Sequence, residues 1–306
     1  MTPTILDGAA YAAEIREDVA RQVAALRAGG RDVCLAAVLV GSDPAGRQYA
    51  GSQARQCEKV GISYRLIERP ADISQPALLA ILDELNADRS VTGVMLHMPL
   101  PAHIDAALAQ WRIDPYKDVE GVNPANIGLL FYGEPIIAPC TALAVNELIR
   151  RSGFVAEGRN AVVVGQSRIV GKPITMFLLA QNATVTACHK LTRDLPAHTN
   201  QADLLVVGVG IPRFITAEHV RRGAIVIDVG INSVVERGPD GVEQRRTVGD
   251  VYFERVAPLC AAITPVPGGV GPLTVAMLLR NTVEAARKQA RAGDGPSRLD
   301  KSSATI

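Results

Sequence analysis

Short apolar runs that stop at a glycine recur along this chain, and they constrain its fold more than any other feature. CLAAVLV (34–40) stops at Gly41, AVVV (161–164) at Gly165, LLVV (204–207) at Gly208, and the VIDV of VIDVGIN at Gly230. Runs of roughly four to eight residues suit buried strands rather than helices. Between them, apolar residues recur at helical spacing among charges. Strands alternating with helices and buried on both faces imply a parallel α/β sheet. The pattern predicts helix over 11–26, strand over 34–40, helix over 46–60 closed by Gly61, strand over 64–68, helix over 75–86 and strand over 91–98 before PLP. Proline and glycine in GEPIIAPCT (133–141) break this series. A helix over 144–151 then opens a second one, with strands at 161–164, 184–187, 204–207 and 224–228 separated by helical lengths, the pattern of a doubly wound nucleotide-binding fold. PDG (239–241) suggests a turn between two short strands, residues 273–290 are helical in pattern, and the polar tail from Ala292 is expected to be disordered.

A chain of 306 residues accommodates two ordinary domains. Its 32 lysines and arginines nearly cancel 31 aspartates and glutamates, and the charges are dispersed, so nothing attracts a nucleic-acid backbone over its length. The five cysteines form no CxxC pair, which points to a reduced cytoplasmic protein without structural zinc. The first residues lack a basic start and a long apolar run, and no stretch reaches about 18 uninterrupted apolar residues, so a soluble, unexported protein with no membrane partner is expected.

Five stretches carry chemistry. NAVVVGQSRIVGKP places Gly165 after a strand and Gly171 before a helix, with Gln166, Ser167 and Arg168 between them. Such a loop lets backbone N–H groups approach a phosphate, although its spacing is not GxGxxG and a plain tight turn has the same pattern. The next strand ends at His189 and Lys190 where an NAD site often carries an acid. With Arg168, that charge suits a 2′-phosphate and favours NADP, while a solvated basic patch is the bland alternative. VVGVGIP and VIDVGIN turn at Gly208 and before Ile231, and PVPGGVGPLT offers Pro267, Gly268, Gly269 and Thr274 as pocket lining or as linker.

Together DVGIN, TPVPGGVGPLTVAML, VVVGQSRIVGKP, AVLVGSDPAGRQY, LHMPLP and KDVEGVNPANIG make the chain resemble the methylenetetrahydrofolate dehydrogenase/cyclohydrolase (FolD-like) family, in order from about Ile5 to Asn281. The resemblance implies an N-terminal α/β folate domain (1–142, with 273–306 returning to it), a Rossmann-like NADP domain (143–272), a cleft between them, a reduced folate as substrate and a homodimer. It makes Gly165, Gln166, Ser167, Arg168, Gly171, His189, Lys190, Gly208 and Ile231 the expected cofactor contacts. Tyr49, Gln53, His97, Glu120, Pro267, Gly268, Gly269 and Thr274 are the expected folate contacts, the first four of them also the expected catalytic group, and no metal is implied.

At the folate positions the chain departs from the family's pattern. The tyrosine of Y-x-x-S-K stands as Tyr49, but its lysine is Gln53; the glutamine of V-Q-L-P-L-P is His97; the second aspartate of K-D-V-D-G is Glu120; and P-C-T-P becomes PCTAL with Ala142. Tyr49 and Gln53, four apart, share a helix face, yet neither is a base near neutral pH. Hydride transfer from the methylene carbon needs alignment and no proton acceptor. Hydrolysis of the methenyl cation needs a proton shuttle, which a lysine can supply and an amide cannot. The expectation is a retained NADP-dependent dehydrogenase with weak or absent cyclohydrolase. A bifunctional enzyme using His97, and a non-catalytic folate- or NADP-binding paralogue, are the alternatives.

Overall fold

The computed structural model describes residues 2–41, 44–237 and 243–293. In chain order the elements are β1 (Thr4–Ile5), α1 (Gly8–Ala28), β2 (Cys34–Val40), α2 (Pro44–Lys59), β3 (Ser63–Arg69), α3 (Gln75–Ala87), β4 (Gly93–Leu96), α4 (Ala106–Arg112), α5 (Pro124–Phe131) and α6 (Cys140–Arg151). There follow β5 (Asn160–Val164), α7 (Gly171–Ala180), β6 (Thr184–Cys188), α8 (Leu195–Thr199), β7 (Leu204–Val207), β8 (Ile225–Asp228), β9 (Asn232–Arg237), β10 (Glu243–Val248), α9 (Phe253–Val256), β11 (Ala262–Ile263) and α10 (Val270–Gly293).

Two compact units result. One comprises Arg16–Leu129, Pro135–Ala138 and the described residues from Leu278 onward. Its three-stranded sheet, ordered β3-β2-β4, is parallel, with Leu35 opposite both Tyr64 and Gly93. Side chains alternate across a strand. Ala36, Val38, Val94, Leu96 and Ile67 therefore take one face, where they pack with Leu78, Leu82 and Leu85 of α3 in a buried core. Tyr64, Leu35, Ala37, Gly93 and Met95 take the other face, and His97, just past the end of β4, continues it. Ser74 caps α3 by accepting from the Ala77 N–H, and Asp105 caps α4 by accepting from the Leu108 N–H at 3.0 Å.

The other unit comprises Met1–Ile15, Leu130–Glu134 and Pro139–Met277. Its six-stranded sheet, ordered β1-β11-β8-β7-β5-β6, is parallel throughout, and β9 and β10 form a separate antiparallel pair. The core runs through Val162, Val164, Leu205, Val207, Val226 and Ile263. The PDG turn expected between β9 and β10, and the tail beyond residue 293, lie outside the described residues.

Several boundaries differ from the sequence reading for identifiable reasons. Thr4–Ile5 joins the six-stranded sheet by pairing with Ala262–Ile263, so the chain's first residues lie in this unit and not with residues 16–129. α10 begins at Val270 rather than 273 because Pro272 falls in its first turn, where no intrahelical N–H bond is lost. The strand expected over 91–98 pairs with β2 only from Gly93 to Leu96, leaving His97 and Met98 beyond it. No full helix separates β7 from β8. A 3₁₀ turn at Ala217–His219 stands there, after a loop in which Arg213 takes a left-handed φ of 54°.

Candidate active site

The first cluster forms on the sheet face shared by Tyr64 and His97. α2 follows β2, and its i, i+4 spacing puts Tyr49 and Gln53 on one side. Gln53 is only 3% exposed and His97 5%, whereas Tyr49 is 50% exposed. The Tyr49 and His97 rings meet edge to face with centroids 5.7 Å apart. The Tyr64 hydroxyl lies 3.3 Å from Gln53 Oε1 and 3.4 Å from His97 Nε2. Ala37, on β2 between β3 and β4, carries only a methyl on this face. Burial lifts the Tyr64 phenol above its usual range, so it stays protonated and able to donate; burial lowers the His97 imidazole, keeping it neutral. The Gln53 Nε2 group is buried without a hydrogen-bond partner among the described residues.

Glu120 reaches the same region from KDVEG. Lys117 anchors that segment by donating to the carbonyls of Leu85 at 2.9 Å and Asp88 at 2.6 Å. The Val94 N–H donates to the Lys117 carbonyl, and Asp118 Oδ2 accepts from the Asn123 N–H and the Asn126 amide. So held, Glu120 Oε2 accepts from the Leu96 N–H at 3.4 Å, one residue before His97. Burial, then the neighbouring Asp118 charge, push the Glu120 carboxyl up to about 7, against the opposing Leu96 hydrogen bond. Tyr49, Gln53, His97 and Glu120 thus all belong to one unit.

The expected cofactor residues belong to the other unit. β5 and β6 pair in parallel, with Val164 opposite Cys188, so Gly165–Arg168 and His189–Lys190 leave the sheet at neighbouring carboxyl ends. Gly165 has a φ of 108°, and a side chain there would collide with the Gly208 carbonyl; one at Gly171 would collide with the Gly165 carbonyl. These glycines are fixed by backbone packing. Gln166 donates back to the Val163 carbonyl at 3.1 Å and His189 Nδ1 accepts from the Leu191 N–H, while Ser167, Arg168 and Lys190 are exposed. Ile231, Pro267, Gly268 and Gly269 line a cavity of about 150 Å³ in this same unit. Thr274, whose hydroxyl donates to the Val270 carbonyl, also belongs here and not with Tyr49.

Two residues of these clusters, Tyr64 and Asp250, escape the motif reading. Tyr64 looks like any strand tyrosine until the β2–β3 register places it on the His97 face. Asp228 accepts from the N–H groups of Gly230, Asp250 and Val251, and Asp250 in turn accepts from those of Val209 and Gly210 and from the Asn232 amide. These two buried carboxylates hold the glycine turns after β7 and β8. Asp228 was legible as the acid of DVGIN, but Asp250 is distant in sequence and carries no motif. Burial raises the Asp228 carboxyl to about 7 despite its hydrogen bonds.

A parallel six-stranded sheet with glycine turns at its carboxyl edge, joined to a smaller α/β unit with a buried polar cluster, defines a two-unit protein of the nucleotide-binding α/β class. Residues 6–120 match the catalytic domain of tetrahydrofolate dehydrogenase/cyclohydrolase, and residues 139–290 match its NAD(P)-binding domain. The chain belongs to the tetrahydrofolate dehydrogenase/cyclohydrolase family. It is 48% identical over 288 residues to the bifunctional protein FolD of Moorella thermoacetica, covering 94% of this chain and 100% of that protein. The crystal structure of the bifunctional FolD of Campylobacter jejuni superposes with a TM-score of 0.87 at 42% identity, over 94% of this chain and 99% of that one. The Trypanosoma brucei methylenetetrahydrofolate dehydrogenase-cyclohydrolase, solved with NADP and an inhibitor, gives a TM-score of 0.87 at 35% identity over the same shares. Among the described residues no helix is long and apolar enough to cross a membrane.

Proposed function

We propose that this protein oxidises 5,10-methylenetetrahydrofolate to the 5,10-methenyl form with NADP⁺ as hydride acceptor, and that it hydrolyses the methenyl form slowly. The unit holding Tyr49, Gln53, His97 and Glu120 is the folate side, and the unit with the six-stranded sheet is the NADP side.

Features of the chain itself suit NADP. The loop after β5 is compact and glycine-lined, the Arg168 and Lys190 cations are exposed at adjacent strand ends, and no acid stands at the end of β6 to favour a free ribose hydroxyl. When bound, NADP⁺ supplies the hydride acceptor. The protein has no proton to move in that step, so its work there is binding and alignment.

The observation that carries the slow-hydrolysis reading is the state of Gln53. It is buried, its carbonyl oxygen is taken by the Tyr64 hydroxyl, and its amide has no proton to exchange at accessible pH. Lysine at this position would bring a titratable amine. The test is to supply methenyltetrahydrofolate to purified protein and compare its loss with the spontaneous rate, a match supporting this reading. A second reading rests on His97, a neutral imidazole hydrogen-bonded to the same hydroxyl and capable of accepting a proton from attacking water. Fast hydrolysis that disappears in His97→Ala selects it.

A further inference from the structure

The hydroxyl of Tyr64 touches both substituted side chains of the folate side, and its single proton settles the polarity of the group. A tyrosine hydroxyl donates once and accepts twice. Gln53 Oε1 can only accept, so the Tyr64 proton goes to it across 3.3 Å. The hydroxyl then has only lone pairs left for His97 Nε2 at 3.4 Å, and that nitrogen must carry the imidazole's proton. The hydrogen bonds run from His97 through Tyr64 to Gln53. At one end the Gln53 amide N–H group is buried with nothing to bond among the described residues. At the other, His97 Nδ1 is left with its lone pair.

We infer that Tyr64 is a positioning residue for the folate side: by bridging Gln53 and His97 it fixes the amide's orientation and the imidazole's tautomer, so that a bound reduced folate meets an N–H donor from Gln53 and an acceptor nitrogen from His97. The inference rests on the folate reading of this unit. It assigns Tyr64 an ordering role in a site whose family pattern has a charged lysine at position 53. The ligand recognised must offer an acceptor atom to the amide and a donor to the imidazole.

The experiment uses full-length protein with ¹⁵N-labelled histidine, and a His97→Gln sample identifies the His97 signals. The expected spectrum shows His97 protonated at Nε2 and unprotonated at Nδ1 at neutral pH. In Tyr64→Phe, which removes only the hydroxyl, the Nε2–H form loses its excess. The folate KM is expected to rise about tenfold, the equivalent of one or two lost hydrogen bonds, with kcat at saturation changed about twofold or less. A wild-type ring protonated at Nδ1 overturns the inference, as does a Tyr64→Phe protein with unaltered ring signals and KM. Should Tyr64→Phe fail to fold, the wild-type tautomer alone decides. If the wild type shows no folate oxidation, the functional reading fails separately, and the tautomer still judges Tyr64.

Discussion

The rings of Tyr49 and His97 stand at 88° to one another with centroids 5.7 Å apart, so a half-exposed tyrosine on α2 covers a buried imidazole just beyond β4. Under the proposed function Tyr49 is both wall of the folate side and cover for its titratable group. Tyr49→Ala should raise the folate KM about three- to tenfold, the worth of an aromatic contact, and raise the His97 pKa by admitting water. Steady-state kinetics with a histidine titration checks both. An unchanged KM would remove Tyr49 from the site.

Gln53→Lys restores a titratable amine in the buried space beside Tyr64. Hydrolysis of supplied methenyltetrahydrofolate should rise about 100-fold or more, the usual worth of a positioned proton shuttle. Dehydrogenase turnover should hold or fall, because a cation now adjoins the one being formed. No rise in hydrolysis would mean that His97 or Glu120 has reshaped the site beyond a single residue.

Glu120 sets a pH dependence whose sign is fixed. Its carboxyl is raised from the usual 4.5 to about 7, chiefly by burial and then by Asp118. The folded protein therefore keeps a proton that the unfolded chain releases, and stability falls as pH rises through this window. Glu120→Gln cannot ionise. Its Tm should gain on the wild type as pH climbs from 4.5 to 7, while the loss due to Asp228, also raised to about 7, stays common to both. Parallel Tm curves for the two proteins would contradict this assignment.

Arg168 and Lys190 are predicted to select the phosphorylated dinucleotide. Replacing both with alanine should weaken NADP⁺ about ten- to a hundredfold, through lost charge-assisted hydrogen bonds, and leave NAD⁺ nearly untouched. Comparison of the two KM values reads this directly. An unchanged ratio would place the 2′-phosphate elsewhere.

Much of this architecture is legible in the sequence because it is local. Strands β5, β7 and β8 of the second series are short, largely apolar runs that end at a glycine turn, and Gly165 and Gly171 bracket the first turn in a recognisable string. The motif positions Tyr49, Gln53, His97 and Glu120 likewise stand in order along the chain, and the fold places all four in one unit. What was not legible depends on long-range pairing. Thr4–Ile5 is too short to carry periodicity and becomes a strand only by meeting Ala262–Ile263. Tyr64 joins Gln53 and His97 only once β3 is registered against β2. Asp250 gains its partners from the turns after β7 and β8, far from it in sequence. The helical length expected between β7 and β8 gave way to a loop because Val209 and Gly210 donate to Asp250 and the Arg213 N–H to the Gly249 carbonyl, which leaves that backbone bonded outside any helix.

In the proposed function hydride transfer survives while hydrolysis of the methenyl form is slow for want of a lysine shuttle. Purified protein incubated with methylenetetrahydrofolate and NADP⁺ or NAD⁺, with methenyl product and reduced cofactor followed together, tests it most directly. NADPH is expected to form, with methenyltetrahydrofolate accumulating and decaying no faster than in buffer. Reduced cofactor without accumulating methenyl product, or neither species at all, would contradict it.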